Sequence, residues 1–276
     1  MTRQPTSQKL EENNEALSRK LRANILKMIH AAGSGHPGGS LSCVEILMTL
    51  FGSVLHFDPK NPRWVDRDRV VLSKGHAVPA LYAILAEYDY FPGDWLMSLR
   101  KLGSPLQGHP DVARLPAVEA ATGSLGQGLS IAQGIAMACK LDKRDSRVFC
   151  IVGDGEIQEG QIWEAAMSAP KFKLDNLTVI LDYNHGQIDG RSDEVMNLEP
   201  IVDKWKAFNW NVLEVDGHDC EALQRVLPTQ VPGKPTFIVA HTIKGKGVSF
   251  MEGVIDWHGK APNDEELAKA LKELGQ

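Results

Sequence analysis

A run of apolar residues, Val148-Phe149-Cys150-Ile151-Val152, ends in Gly153-Asp154-Gly155, and a helical pattern follows from about Ile162. Ligands of open parallel sheets bind at such carboxyl ends of strands. Asp154 offers hard carboxylate oxygens to a divalent cation, and its flanking glycines let backbone N–H groups approach a phosphate. Taken alone, the turn reads as the ordinary Asp-Gly end of a strand. About thirty residues on, a second strand pattern, Leu177-Thr178-Val179-Ile180-Leu181, runs into Asp182-Tyr183-Asn184-His185-Gly186. Asn184 adds an amide oxygen and Gly186 a carbonyl. Mg²⁺ takes near-octahedral oxygen coordination and commonly combines few protein ligands with phosphate oxygens and water. Asp154, Asn184 and Gly186 together therefore predict a divalent metal site that clamps a diphosphate, for Mg²⁺ or for Ca²⁺ or Mn²⁺ in its place.

Other residues could move protons. Of nine histidines, six have a glycine neighbour, and four of these (His36, His76, His109 and His258) stand in short glycine-containing motifs, where small neighbours let an imidazole face a ligand. An unperturbed imidazole both gives and takes protons near neutral pH. His185 and His218 read as turn residues, and His30, His56 and His241 as structural ones. Thr242-Ile243-Lys244-Gly245-Lys246-Gly247 sets two cations between glycines, as a mobile active-site loop or a solvated basic loop would. Lys244 is its candidate for contact with a bound ligand.

These groups need elements to position them. Apolar residues from Leu10 through Leu17, Leu21, Ile25 and Met28 step at helical spacing until Gly33-Ser34-Gly35 stops them, and a second helix is predicted from about Cys43 to Val54. Short apolar runs at Val70–Leu72, Val148–Val152, Leu177–Leu181, Val212–Val215 and Phe237–Ala240 read as buried strands. Helical patterns at Ala77–Glu87, Gly128–Leu141, Ile162–Phe172, Glu221–Leu227 and Glu265–Leu274 lie between and after them. Alternating strand and helix predict an α/β fold, a doubly wound and mainly parallel sheet with helices on both faces. With no repeat or long linker, residues 1–276 are expected to form a single domain, with a helical segment at about 8–54 and a mobile loop and helix at about 242–276.

Composition narrows the partners. The chain has 276 residues, 43% hydrophobic and 24% charged, and its 30 Lys and Arg against 35 Asp and Glu give a net charge of −5. No basic footprint for nucleic acid or an anionic membrane follows from that. Cys43, Cys139, Cys150 and Cys220 are far apart, with neither zinc-ribbon nor redox spacing, and are expected as reduced thiols. The amino terminus has no apolar signal core and no run reaches eighteen apolar residues, so a cytoplasmic protein is expected.

The paired Gly-Asp-Gly and Asn motifs resemble those of thiamine-diphosphate enzymes. Gly35-His36-Pro37-Gly38-Gly39, Leu72-Ser73-Lys74-Gly75-His76-Ala77, Gly108-His109-Pro110, Thr122-Gly123-Ser124-Leu125-Gly126-Gln127-Gly128 and Trp257-His258-Gly259 narrow the resemblance to the transketolase family. It runs from about Leu17 to Pro262 and covers only the amino-terminal, diphosphate-binding half of a full-length member. The resemblance implies thiamine diphosphate as cofactor and transfer of a two-carbon ketol unit from a ketose phosphate to an aldose phosphate. It places His36, His109 and His258 at the reacting sugar, and His76 and His258 at the diphosphate. Gly123, Ser124 and Gly155 would lie along the cofactor, Leu125 and Ile188 would hold its rings, and Glu159 would join a carboxylate network between paired sites.

Three departures are minor: Ser124 replaces a proline, Tyr183 stands where members often have a second asparagine, and Gly186 replaces a larger residue. A greater one is that the glutamate acting on the cofactor's aminopyrimidine ring, and most arginines for sugar phosphates, belong to a following pyrimidine-binding domain that this sequence lacks. The chain is therefore expected to work with a separate carboxyl-terminal subunit, as an α2β2 heterotetramer. Xylulose 5-phosphate and ribose 5-phosphate are the family's usual sugars, a pentose phosphate role, but the sequence leaves the pair open. Alternatives are another thiamine enzyme, of the deoxyxylulose-phosphate synthase or 2-oxo acid dehydrogenase kind, or a non-catalytic assembly subunit of the same fold. A nicotinamide-binding domain fits less well, since Gly123–Gly128 reads G-x-x-G-x-G.

Overall fold

In the computed structural model the backbone is described for residues 7–276 and the side chains from residue 13 onward. The predicted start of the first helix at Leu10 falls within a described helix, but its side chain lies outside the described ones.

In chain order the strands are β1 (Arg69–Leu72), β2 (Val148–Gly153), β3 (Leu177–Tyr183), the two-residue β4 (Gly186–Gln187) and β5 (Gly190–Arg191), β6 (Asn211–Asp216) and β7 (Thr236–His241). Five of them form one wholly parallel sheet in the order β1-β2-β3-β7-β6, while β4 and β5 make a small antiparallel hairpin. All seven residues of β3 are buried, as the central strand of a sheet covered on both faces requires. The pleat sorts side chains between two cores. Phe149 and Ile151 join one apolar cluster, and Val148, Cys150 and Val152 the other.

The first cluster packs under α1 (Ser7–Ala32), α2 (Pro37–Ser42), α3 (Val44–Thr49) and α4 (Val78–Glu87). The second packs under α5 (Gln127–Leu141) and α6 (Gly160–Lys171). A short α7 (Ser192–Val195) follows the hairpin. Trp205 of α8 (Ile201–Ala207) stacks on Phe237 at 3.8 Å between ring centroids in the second cluster. α9 (Cys220–Val226) and α10 (Asp264–Glu273) complete the first face. No helix among the described residues is long and apolar enough to cross a membrane.

The five predicted strands and the doubly covered parallel sheet match the structure to within two residues at each strand end. The predicted helix over 43–54 does not run through. α3 ends at Thr49 and a wider turn over Leu50–Val54 follows, where Gly52 and Ser53 favour helix poorly and Ser53 Oγ bonds back to the Thr49 carbonyl at 3.0 Å. α2, α8 and the hairpin were not predicted. α2 escapes periodicity because two glycines occupy it, and the structure gives the reason for them. A Cβ on Gly38 would come within 2.9 Å of the Trp257 carbonyl and 3.0 Å of Lys244 Cγ, and one on Gly39 within 3.2 Å of His76 Nε2. The helix is thin so that the site can lie against it.

Candidate cofactor and active site

Four adjacent strands deliver the site from their carboxyl ends. β1 leads into Ser73-Lys74-Gly75-His76, β2 into Asp154-Gly155, β3 into Asn184, and β7 into Thr242-Ile243-Lys244. In register, Gly153 of β2 lies beside Asp182 of β3, which lies beside Ala240 of β7. The segments after them converge on one cavity of about 430 Å³. Every site residue nominated from the sequence lines it except Ser124, which is exposed outside the lining.

Asp154 is 2% exposed, and its carboxylate accepts from two neutral donors, the Gly155 N–H at 3.0 Å and Ser192 Oγ at 2.9 Å. Burial, with Asp182 nearby, pushes its pKa above the usual carboxylate range despite the Ser192 bond. Asn184 is oriented from below: Nδ2 donates to Asp182 Oδ2 at 3.1 Å and Ser42 Oγ at 3.3 Å, while Oδ1 accepts the Gly186 N–H at 3.1 Å. The Gly186 carbonyl faces the same space and accepts from Lys244 Nζ at 3.2 Å. Among the described residues no three His, Cys, Asp or Glu side chains converge as a self-sufficient metal site. The set fits a different kind of cation, one held by a single carboxylate, an amide oxygen and a carbonyl, with phosphate oxygens completing the shell.

Lys244 supplies the matching half of that test. It is 2% exposed, which excludes the solvated-loop reading, and its ammonium meets the Gly186 carbonyl and His258 Nδ1 (3.1 Å) rather than a carboxylate. Burial, then the charge of Lys74, lowers its pKa to about 8. A buried carboxylate facing only neutral donors and a buried ammonium facing only neutral acceptors suit a bound metal and a bound anion respectively.

Around them stand four imidazoles. Ring centroids of His36 lie 5.3 Å from His76, 5.5 Å from His258 and 6.3 Å from His109, and His76 and His258 stack at 5.2 Å. Burial, then Arg100, lowers the His36 pKa to about 4, and burial, then Lys244, lowers that of His258 to about 3. Burial and Lys74 hold His76 well below its ordinary value, and burial and Arg100 lower His109. All four are neutral at pH 7, and His258, whose Nδ1 accepts from the Lys244 ammonium, carries its proton on Nε2. His36 Nδ1 is buried without a hydrogen-bond partner. Backbone also lies close: a Cβ on Gly123 would fall 3.0 Å from His109 Cδ2, and one on Gly155 3.0 Å from Gln187 Cβ.

Sequence reasoning missed what lies beneath. Lys74 and Asp182 form an ion pair with side chains 1% and 0% exposed, and Asp182 also accepts from Ser42 Oγ at 2.6 Å and from Thr242 Oγ1. Burial opposes its ionisation most, but Lys74 and the Ser42 and Thr242 hydroxyls together outweigh it and lower the carboxylate pKa. A signal was available: a carboxylate in an otherwise apolar central strand demands a buried cation. Glu156, also missed, is 2% exposed and accepts the N–H groups of Gly126 (2.9 Å) and Gly153 (3.1 Å), tying α5 to β2.

Fold and site together define a parallel α/β domain whose strand carboxyl ends gather oxygen ligands suited to a divalent cation and a buried ammonium suited to an anion. Residues 13–276 match the family described as transketolase, thiamine diphosphate binding domain. The chain is 42% identical over 267 residues to one subunit of an apulose-4-phosphate transketolase from Phocaeicola vulgatus, covering 96% of this chain and 95% of that one. It is 45% identical over 256 residues to one subunit of a 6-deoxy-6-sulfo-D-fructose transketolase from a Clostridium species, covering 92% and 93%. The transketolase structure from Leishmania mexicana superposes with a TM-score of 0.88 at 32% identity, over 95% of this chain but 41% of that one. This chain thus belongs to the transketolase family, as its thiamine-diphosphate-binding part, and spans about two fifths of the full-length members it matches.

Proposed function

We propose that this chain is the diphosphate-binding subunit of a thiamine-diphosphate-dependent transketolase, moving a two-carbon ketol unit from a ketose phosphate to an aldose phosphate. The observation that carries the reading is the meeting in one cavity of Asp154, Asn184 and Gly186 with Lys244 and four neutral histidines. Asp154, Asn184 and the Gly186 carbonyl would hold the cation, for which Mg²⁺ is the best fit. Lys244 and His76 would face the diphosphate, and Leu125 and Ile188 the rings. When bound, thiamine diphosphate supplies the electron sink for breaking and making a carbon-carbon bond.

The chain's own part is to bind, orient and move protons. His36, neutral at pH 7, can take a proton from a sugar hydroxyl and return it to an alkoxide, while His258, its Nδ1 held by the Lys244 ammonium, can donate its Nε2–H to a sugar oxygen. His109, more exposed than either, offers a third ring to the sugar. A separate pyrimidine-binding subunit would complete the site in an α2β2 assembly. Supporting this, the two similar chains above are named as subunits, Glu159 stands exposed at the cavity, and Ile188 there is 70% exposed, an apolar lip that rings and a partner would cover. Four free cysteines support a reducing, cytoplasmic setting. Ketol transfer is assayed with thiamine diphosphate and Mg²⁺, using this chain alone and then with a pyrimidine-domain chain encoded beside it. Activity is expected only in the mixture; appreciable turnover by this chain alone would overturn the half-site reading, and none in the mixture the function.

A further inference from the structure

Three polar side chains away from the metal ligands have no part in the reaction just described: Arg22 on α1, Glu45 on α3, and His218 in the turn between β6 and α9. Arg22 grips Glu45 with both terminal nitrogens, Nη1 to Oε1 at 2.6 Å and Nη2 to Oε2 at 2.8 Å. Glu45 Oε2 also receives His218 Nδ1 at 2.9 Å. The network then reaches the loop after β7 at two points. His218 Nε2 accepts the Ile243 N–H at 2.9 Å, and Arg22 Nε donates to the Lys246 carbonyl at 2.7 Å. Lys244 lies between those two fastenings, with its ammonium on the cavity side at Gly186 and His258.

The tautomer follows from the bonds. An imidazole nitrogen that accepts from an amide carries no proton, so the ring's proton is on Nδ1, where Glu45 receives it. The loop needs such outside fixing because Gly245 and Gly247 sit at φ +75° and +90°, a region that glycine enters but does not prefer over others. Its main-chain ties to neighbouring segments are the Thr242 N–H to the Tyr183 carbonyl and the Gly245 N–H to the Gly38 carbonyl, each at 3.0 Å, and the Gly253 N–H to the Lys244 carbonyl at 2.8 Å; none of them holds the Ile243 N–H or the Lys246 carbonyl, which His218 and Arg22 take.

We propose that His218, held as the Nδ1–H tautomer by Glu45, is a positioning residue that acts with Arg22 to set the backbone of residues 243–246 and so seats Lys244 in the cofactor cavity. The clamp itself is independent of the reaction; its consequence for cofactor binding rests on the role proposed above for Lys244.

The test pairs two substitutions in the full chain. His218→Phe keeps the ring's bulk without an acceptor, while His218→Gln keeps an oxygen that can accept the Ile243 N–H. Hydrogen exchange is measured by mass spectrometry on peptides spanning 242–247, with peptides from β2 and β3 as internal controls. Titration with thiamine diphosphate and Mg²⁺ is followed by calorimetry. His218→Phe is expected to speed exchange at 242–247 about tenfold, with the controls unmoved, and to weaken cofactor binding by a similar factor; His218→Gln restores both to within about threefold. Unchanged exchange in His218→Phe, equal damage by both substitutions, or faster exchange with unaltered affinity would each overturn the proposal. A native chain that binds no cofactor would instead count against the proposed function, and the exchange measurement would still decide the clamp.

Discussion

Asp154 and Asn184 are fixed in different ways, and the difference bears on what their loss should do. Asp154 is held by the Gly155 N–H and Ser192 Oγ, so its removal relieves a buried carboxylate whose pKa burial already raises. Asn184 is locked through Asp182 and Ser42, so removing it leaves the Lys74–Asp182 pair one donor short. Asp154→Ala and Asn184→Ala are both expected to weaken metal-dependent thiamine diphosphate binding by more than about 100-fold in calorimetry, beyond the range for groups that only support a ligand. Thermal unfolding separates them: Asp154→Ala should keep or raise the midpoint and Asn184→Ala lower it, by about 1–2 kcal/mol for the Gly186 N–H left without its acceptor. A midpoint for Asp154→Ala far below the native one would contradict this account. His218 carries the other lesson at this scale. Its backbone does sit in a turn, as its neighbours Gly217 and Asp219 suggest, but its ring works 25 residues away, on Ile243.

Between elements, one tight approach is where α5 meets the end of β1. A Cβ on Gly128 would fall 2.6 Å from the Ser73 Cβ and 2.7 Å from its Cα, backbone that cannot step aside. Gly134, two turns on in the same helix, has nothing within 4 Å of its added Cβ. Gly128→Ala is therefore expected to cost about 2–3 kcal/mol and Gly134→Ala to gain up to about 1 kcal/mol, read from urea unfolding midpoints. Equal effects would mean that the contact is not tight. The Arg22–Glu45 tie between α1 and α3 has its own signature. Burial opposes ionisation of Glu45, yet the His218 bond and Arg22 outweigh it and bring its pKa from 4.5 to about 2. A depressed carboxylate adds stability that is complete above pH 4.5 and is lost as pH falls toward 2, here about 3 kcal/mol. Glu45→Gln should lower stability at pH 7 and flatten its fall between pH 5 and 3; an unchanged slope would show that Glu45 does not titrate as described.

Over the whole molecule, the parallel sheet accounts for how residues spread from His36 to His258 meet. Strand order β1-β2-β3-β7 sets four carboxyl ends side by side, whatever their distance in sequence. If a pyrimidine-binding partner completes the site, mass measurement of the mixture should give two copies of each chain, and this chain alone should not reach that mass; a stable one-to-one complex would revise the assembly. The sequence by itself determined the strands, the two-faced sheet and about two thirds of the cavity residues, because apolar runs, glycine turns and motif spacing are local properties of the chain. Only the tertiary structure decided that Ser124 lies outside the lining, that Lys244 is buried, and that Lys74, Asp182, Arg22, Glu45 and His218 hold the ligands and the loop from behind. Those facts depend on pairings across up to 224 residues, from Arg22 to Lys246, and such pairings exist only once the sheet has brought its strand ends together.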